Sequence, residues 1–192
     1  MTYIIHIETA TQSGSVCLSK DGKLVDLIES NKANSHAEKL AGYIQSIVIN
    51  NGLKMSDLSA ISISEGPGSY TGLRIGTSTA KGLCFALDIP LIAINTLHSL
   101  AAYAKYKSTT IFNGIYQPMI DARRMEVYSQ SFDNHLKPLS EVAAHIIDEN
   151  SFAELLDKHE VLFFGDGAAK CKDVLRGENL SFATEAVPSA EQ

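Results

Sequence analysis

The residues best placed to do chemistry fall in one run, Ser64-Glu65-Gly66-Pro67-Gly68-Ser69-Tyr70-Thr71-Gly72-Leu73-Arg74. A glycine turn that ends a strand and opens a helix leaves backbone N–H groups free to cradle an oxyanion, so phosphate binding is the first chemistry to weigh. The loop has no lysine, which excludes a Walker-type phosphate loop, and its glycines serve equally well as room for close packing. Gly165-Asp166-Gly167 carries the same two readings. His6, His36, His98, His135, His145 and His159 include no pair three or four apart, so a helical metal pair is absent and no metal ligand is assigned. Ser69 sits in no G-x-S-x-G elbow and has no base nearby in the sequence.

The bulk properties narrow the classes further. A chain of 192 residues that is 45% hydrophobic can bury a sizeable core, in one domain or two small lobes. The formal charge of −6 argues against this surface being the main binder of a nucleic-acid backbone, so any RNA role is shared with a basic partner. Cys17, Cys84 and Cys171 are odd in number and set in apolar contexts, which reads as buried thiols of a reduced compartment. The N-terminal run has no basic region and meets Glu8, and no apolar run reaches the length of a membrane span. The expectation is a soluble, cytoplasmic protein without membrane contact.

The elements that must position these residues follow from pattern. Tyr3 to Thr9, Ser15 to Ser19 and Leu24 to Glu29 read as strands, the last two joined by a hairpin at Asp21-Gly22. Ser35 and Glu38 form a capping box ahead of an apolar stripe at Ala37, Leu40, Ala41, Ile44, Ile47 and Val48, which predicts a helix ending near Gly52. A short turn from Met55 to Leu58 leads to a strand over Ala60 to Ser64, the glycine turn and a helix to Leu87. A strand over Pro90 to Ile94 and a helix from Thr96 to about Tyr106 complete a first lobe, residues 1–106, which carries the candidate partner-binding helices.

The order then repeats over residues 107–192. Tyr116 to Asp121 and Met125 to Phe132 read as a hairpin around Arg123 and Arg124. Helical patterns over Glu141 to Glu149 and Phe152 to His159 precede a strand at Val161 to Phe164, and a helix follows through Leu175. Val187-Pro188-Ser189-Ala190 reads as the run-in to one more helix, so the second lobe is expected to be short of its last element. Two related α/β lobes with a cleft between them are the expected architecture.

On a helical wheel, Gly72, Gly76, Ala80 and Cys84 form one ridge, flanked by Ile75, Leu83, Ala86 and Leu87, suited to close packing. Arg74, Ser78, Lys81 and Phe85 take the opposite side. That side is either an ordinary solvated face or a contact surface, since interfaces enrich aromatics and arginine. Tyr43 and Ile47, at the edge of the preceding helix's apolar stripe, are candidates to extend it.

The motifs IHIETA, SHAEKL, SEGPGSYTGLRIG with AKGLCFAL, IPLIAINTL, DARRMEVY and FFGDGA run in order from Ile5 to Ala168. Together they resemble the TsaB family of bacterial tRNA threonylcarbamoyladenosine biosynthesis subunits, formerly grouped with glycoprotease-like homologues. The resemblance implies an α/β, actin-like ATPase (ribonuclease-H-like) fold. In that superfamily each lobe's first hairpin carries an acidic residue and a glycine turn for phosphate. Here those positions read Glu8-Thr9-Ala10-Thr11 and Asp121-Ala122-Arg123-Arg124, without glycine, so side chains would crowd a triphosphate.

A degenerate nucleotide cleft would then draw on Glu8, Thr9, Gly66, Gly68, Asp121, Gly165 and Gly167, with weak nucleotide binding at most and no cofactor required. The catalytic paralogue, TsaD, uses an H-x-x-x-H metal pair, and here His36 is followed by Leu40 where the second histidine would fall. The resemblance therefore implies a non-catalytic scaffold that pairs with TsaD as a heterodimer, works with the ATPase TsaE and meets tRNA only through the complex; alone, an exposed apolar surface of this kind is expected to pair with itself as a homodimer. The expected partner surface is Tyr43, Ile47, Arg74, Ser78, Lys81 and Phe85. An actin-like ATPase or small-molecule kinase is the alternative, and a metallopeptidase the third reading.

Overall fold

The computed structural model describes residues 1–12, 14–30, 36–108, 111–183 and 186–191, with side chains at all of these but 36–38. Five strands make the first sheet: β1 (Tyr3–Glu8), β2 (Gly14–Lys20), β3 (Lys23–Ser30), β4 (Leu58–Gly66) and β5 (Leu91–Asn95). They lie in the order β3-β2-β1-β4-β5, with β1-β2 and β2-β3 antiparallel and β1-β4 and β4-β5 parallel. Asp21 and Gly22 both take left-handed backbone at the β2-β3 turn, φ 49° and 77°, as an Asp-Gly hairpin requires.

Two helices close one face of this sheet, α1 (His36–Asn50) and α2 (Tyr70–Leu87). Alternation along β1 and β4 puts Ile5, Ile7, Ile61 and Ile63 in one cluster with Leu40, Ile44, Ile47 and Val48 of α1 and Ala80 of α2. Ser69 caps α2, its hydroxyl accepting from the Gly72 N–H at 3.3 Å, and Asp88 ends it in the left-handed region at φ 54°. The turn expected at Met55 is a 3-10 segment, Met55–Asp57, tied by the Lys54 N–H donating to Asp57 Oδ2 at 2.8 Å. The capping box expected at Ser35 and Glu38 lies outside the described residues, as does the side chain of His36.

The second sheet is built from β6 (Ile115–Asp121), β7 (Glu126–Ser129), β8 (Ala143–Ile146), β9 (Val161–Phe164) and β10 (Leu180–Ala183). Its order is β10-β9-β6-β7-β8, with β6-β7 and β7-β8 antiparallel and β6-β9 and β9-β10 parallel. Strand for strand this repeats the first sheet, which is the duplication expected of a two-lobe actin-like fold. Helix α3 (Thr96–Lys107) supplies Leu97, Leu100 and Ala101 to a cluster with Tyr116, Ile120, Phe132 and Phe164. The other face of β6 gives Ile115 and Met119 to a cluster with Val127, Leu156, Val161, Phe163 and Cys171, drawing on the short helices α4 (Ala153–Leu156) and α5 (Ala168–Cys171). Gln117, buried inside β6, is satisfied by donating to Ser129 Oγ at 2.5 Å and accepting from Ser131 Oγ at 2.6 Å.

The structure departs from the sequence reading in the second sheet. Glu141 to Glu149 is not helical: β8 occupies its middle, with Val127 opposite His145 and Tyr128 opposite Ala144. Its apolar positions fit either period, and the open edge of β7 supplies ladder partners that an isolated helix lacks. Strand β10 was not expected, because four residues in a polar setting carry no strand signal until β9 stands beside them. The tail, read as the run-in to one more helix, carries no helix over the described residues 186–191. From Pro188 on it groups with residues 1–96 as one unit, while Leu97–Val187 forms the other. There the Ala190 N–H donates to Ser15 Oγ at 2.8 Å and the Ser189 hydroxyl donates to Glu29 Oε1 at 2.6 Å.

Candidate functional site

In the first unit, the glycine turn and α2 lie directly on the loop that leaves β1. A Cβ on Gly68 would stand 2.4 Å from the Ala10 carbonyl oxygen, and one on Gly72 would stand 2.0 Å from that of Thr9. A Cβ on Gly76 would stand 2.3 Å from Thr9 Oγ1 and 2.9 Å from Ile63 Cδ1. Only glycine fits this ridge, because carbonyl and strand atoms occupy the space of a methyl group. The Ser69 N–H, at the start of α2, donates to the Ala10 carbonyl at 2.6 Å. The space of the missing side chains at Gly68 and Gly72 is held by carbonyl oxygens of the loop after β1. Gly66, at φ 113°, makes the bend that delivers α2 there.

Glu8 and Thr9 are buried. The Ala10 N–H donates to Glu8 Oε1 at 2.5 Å and the Ser64 hydroxyl donates to Oε2, so the carboxylate ties β1 to β4. Thr9 Oγ1 has no hydrogen-bond partner among the described residues.

The second unit repeats the arrangement with different partners. At Gly165, φ 104°, a Cβ would stand 2.2 Å from the Met119 carbonyl oxygen, and at Gly167 it would stand 3.0 Å from the Asp121 nitrogen. The Gly167 N–H donates to the Met119 carbonyl at 3.0 Å, and the Asp121 N–H donates to Asp166 Oδ1 at 3.1 Å. Asp121 Oδ1 accepts the Arg123 N–H at 2.8 Å and pairs with the Lys170 ammonium. The seven residues expected to line a nucleotide cleft therefore divide into two sets, each engaged within its own unit.

Among the described residues no such engagement holds the outward side of α2. Arg74, Ser78 and Lys81 are exposed and Phe85 is 92% exposed, far beyond what a phenylalanine in a soluble surface ordinarily shows. Sequence reasoning missed Tyr70, which is exposed and carries the Arg74 guanidinium 3.9 Å above its ring. Their spacing of four residues on one helix was the available signal. Tyr43 is half-buried against the core. Ile47 is corrected: it is fully buried in the α1 stripe beside Ile44 and Val48 and contributes nothing to a surface.

Among the described residues no group of three or more His, Cys, Asp or Glu could hold a metal ion. The cysteines are unbridged, and burial pushes the Cys17 thiol up to about 12. No described helix is long and apolar enough to cross a membrane.

The chain is similar to known proteins over most of its length. The family model described as TsaD, tRNA N6-adenosine threonylcarbamoyltransferase, matches residues 27–188. The tRNA threonylcarbamoyladenosine biosynthesis protein TsaB of Bacillus subtilis is 32% identical over 179 residues, covering 90% of this chain and 74% of that protein. The protein of the same description from Escherichia coli is 35% identical over 127 residues, covering 65% of this chain and 52% of the relative. Among solved structures, a Pseudomonas aeruginosa protein described as similar to the peptidase YeaZ matches with a TM-score of 0.84 at 23% identity, covering 100% of this chain and 88% of that one. At that identity the likeness speaks for the fold.

Proposed function

The chain belongs to the TsaB family of tRNA threonylcarbamoyladenosine biosynthesis proteins, within the wider TsaD family, and from that membership we propose that it is a non-catalytic scaffold subunit. It binds the catalytic TsaD-type subunit as a heterodimer and works with the ATPase TsaE. The observation that carries this reading is that both glycine turns are packed against the chain's own carbonyls, Gly68 on Ala10 and Gly165 on Met119. A triphosphate needs approachable backbone N–H groups at such turns, and the Ser69 and Gly167 N–H groups are already bonded to carbonyls. What the molecule does offer is the α2 face of Tyr70, Arg74, Ser78, Lys81 and Phe85, with an exposed aromatic and a stacked arginine of the kind that anchors interfaces.

Without its partner the same face buries itself against a second copy across a two-fold axis, the commonest symmetry of homo-oligomers. Arg74→Glu combined with Phe85→Ala tests the interface: affinity for the cognate TsaD falls at least a hundredfold, and unchanged affinity rejects the surface. Calorimetry with ATP and magnesium separates the ATPase or kinase alternative, which requires both binding and turnover by this chain alone. Stoichiometric zinc or iron in the purified protein would favour the peptidase reading.

A further inference from the structure

The tip of the β6-β7 hairpin places two arginines in succession in the left-handed region, Arg123 at φ 70° and Arg124 at φ 46°. Side-chain-bearing residues enter that region at a cost, and a turn needing it normally carries glycine or asparagine. The backbone is held there by several tethers. The Glu126 N–H donates to the Arg123 carbonyl at 3.1 Å, the Ala122 N–H donates to the Glu126 carbonyl at 3.1 Å, and the Arg123 N–H donates to Asp121 Oδ1 at 2.8 Å. Lys170 locks the base, its ammonium donating to the Glu126 carbonyl at 2.6 Å while pairing with Asp121. The Asp121 carboxylate is thereby engaged by a lysine. Both arginines are exposed, and neither guanidinium has a hydrogen-bond or ion-pair partner among the described residues.

A fixed tip that presents two unpaired guanidiniums is suited to oxyanions, because the planar fork donates two parallel bonds to a phosphate. We propose that this hairpin contacts the phosphate backbone of the tRNA on which the assembled complex acts. The inference rests on the scaffold reading above and departs from the expectation that tRNA is met only through the other subunits. A protein partner is the weaker fit for this tip. Docking between proteins needs an apolar centre, and none of the large exposed hydrophobic side chains lies in the tip itself; Ile146, which is exposed, pairs with Glu126 at the base of the hairpin. The chain's charge of −6 fits an auxiliary role, in which the tip adds two phosphate contacts to a footprint supplied mainly by a basic partner.

The test uses the chain assembled with its cognate TsaD and TsaE and measures tRNA affinity across a salt series. The double variant Arg123→Asn, Arg124→Gly keeps residues that favour the left-handed turn and removes both guanidiniums. It is expected to bind tRNA about tenfold more weakly, with the slope of log affinity against log salt reduced by about 1 to 2. The variant Arg123→Lys, Arg124→Lys retains most of the slope. Parent-like affinity and slope in the assembled double variant overturn the proposal. So does loss of assembly by the double variant, which would make the tip a protein contact. Failure of the parent chain to assemble with TsaD at all overturns the scaffold reading itself, and light scattering on the parent mixture tells that outcome from the others.

Discussion

The buried Thr9 hydroxyl, without a hydrogen-bond partner among the described residues, faces the bare α-carbon of Gly76 so closely that a Cβ there would lie 2.3 Å away. Helix α2 is seated on the end of β1 with no room between them, and the glycine ridge is what permits it.

Adding a methyl group to that ridge forces the helix off its seat. Gly72→Ala meets the Thr9 carbonyl oxygen, which is backbone and cannot rotate away. A loss of about 3 kcal/mol or more is expected, at the upper end of overpacking costs. Gly82→Ala, on the same helix with nothing within 4 Å of the added carbon, is expected to stabilise by roughly 0.5–1 kcal/mol. Urea denaturation of the two variants checks the contrast, and equal effects would refute the packing argument.

Thr9→Val removes the unpartnered hydroxyl while keeping the side-chain shape. A buried polar group without a partner costs about 1–3 kcal/mol, so the variant is expected to be as stable as the parent or more so. A clear loss of stability would show that the hydroxyl has a partner in solution, such as a bound water.

Ile47 and Phe85 should behave oppositely. Ile47→Ala empties a fully buried position and is expected to cost about 2–5 kcal/mol. Phe85→Ala, at a side chain 92% exposed, leaves the thermal midpoint of the isolated chain almost unchanged and acts on association instead. A large midpoint drop for Phe85→Ala measured on the monomer would contradict this division.

Burial holds His6 below the ordinary imidazole range, where its Nε2 lies 2.7 Å from Ser19 Oγ. The folded chain then binds this proton more weakly than the unfolded one. The resulting stability is complete above the unfolded value, near 6.5, and is lost as pH falls from there towards the folded value. His145, also lowered by burial, acts in the same direction. Denaturation at pH 7.5 and at pH 5.5 is expected to show a smaller acid loss for His6→Gln than for the parent; an identical loss would assign the effect to other groups.

Much of the fold was legible because local chemistry and tertiary structure agreed. The Asp21-Gly22 hairpin, the long helix after the glycine turn and the glycine turns themselves each follow from residue types whose backbone preferences survive any packing. Ile47 was misread because a residue at the edge of an apolar stripe can turn to core or solvent, and only the neighbouring strands settle which. Tyr70 was missed because it is the first residue of its helix, where a wheel has little periodicity to work with.

By itself the sequence determined the duplicated α/β order, the family, and which face of α2 is built of small residues. The tertiary structure alone decided that β8 is a strand and that β10 exists, because an edge is completed only once its neighbour is in place. It also decided what the glycines do. Whether a glycine turn holds an anion or a carbonyl depends on which atoms occupy the space of its missing Cβ. At Gly68, Gly72 and Gly165 those atoms are carbonyl oxygens from strands or loops distant in sequence, and no local pattern encodes their approach.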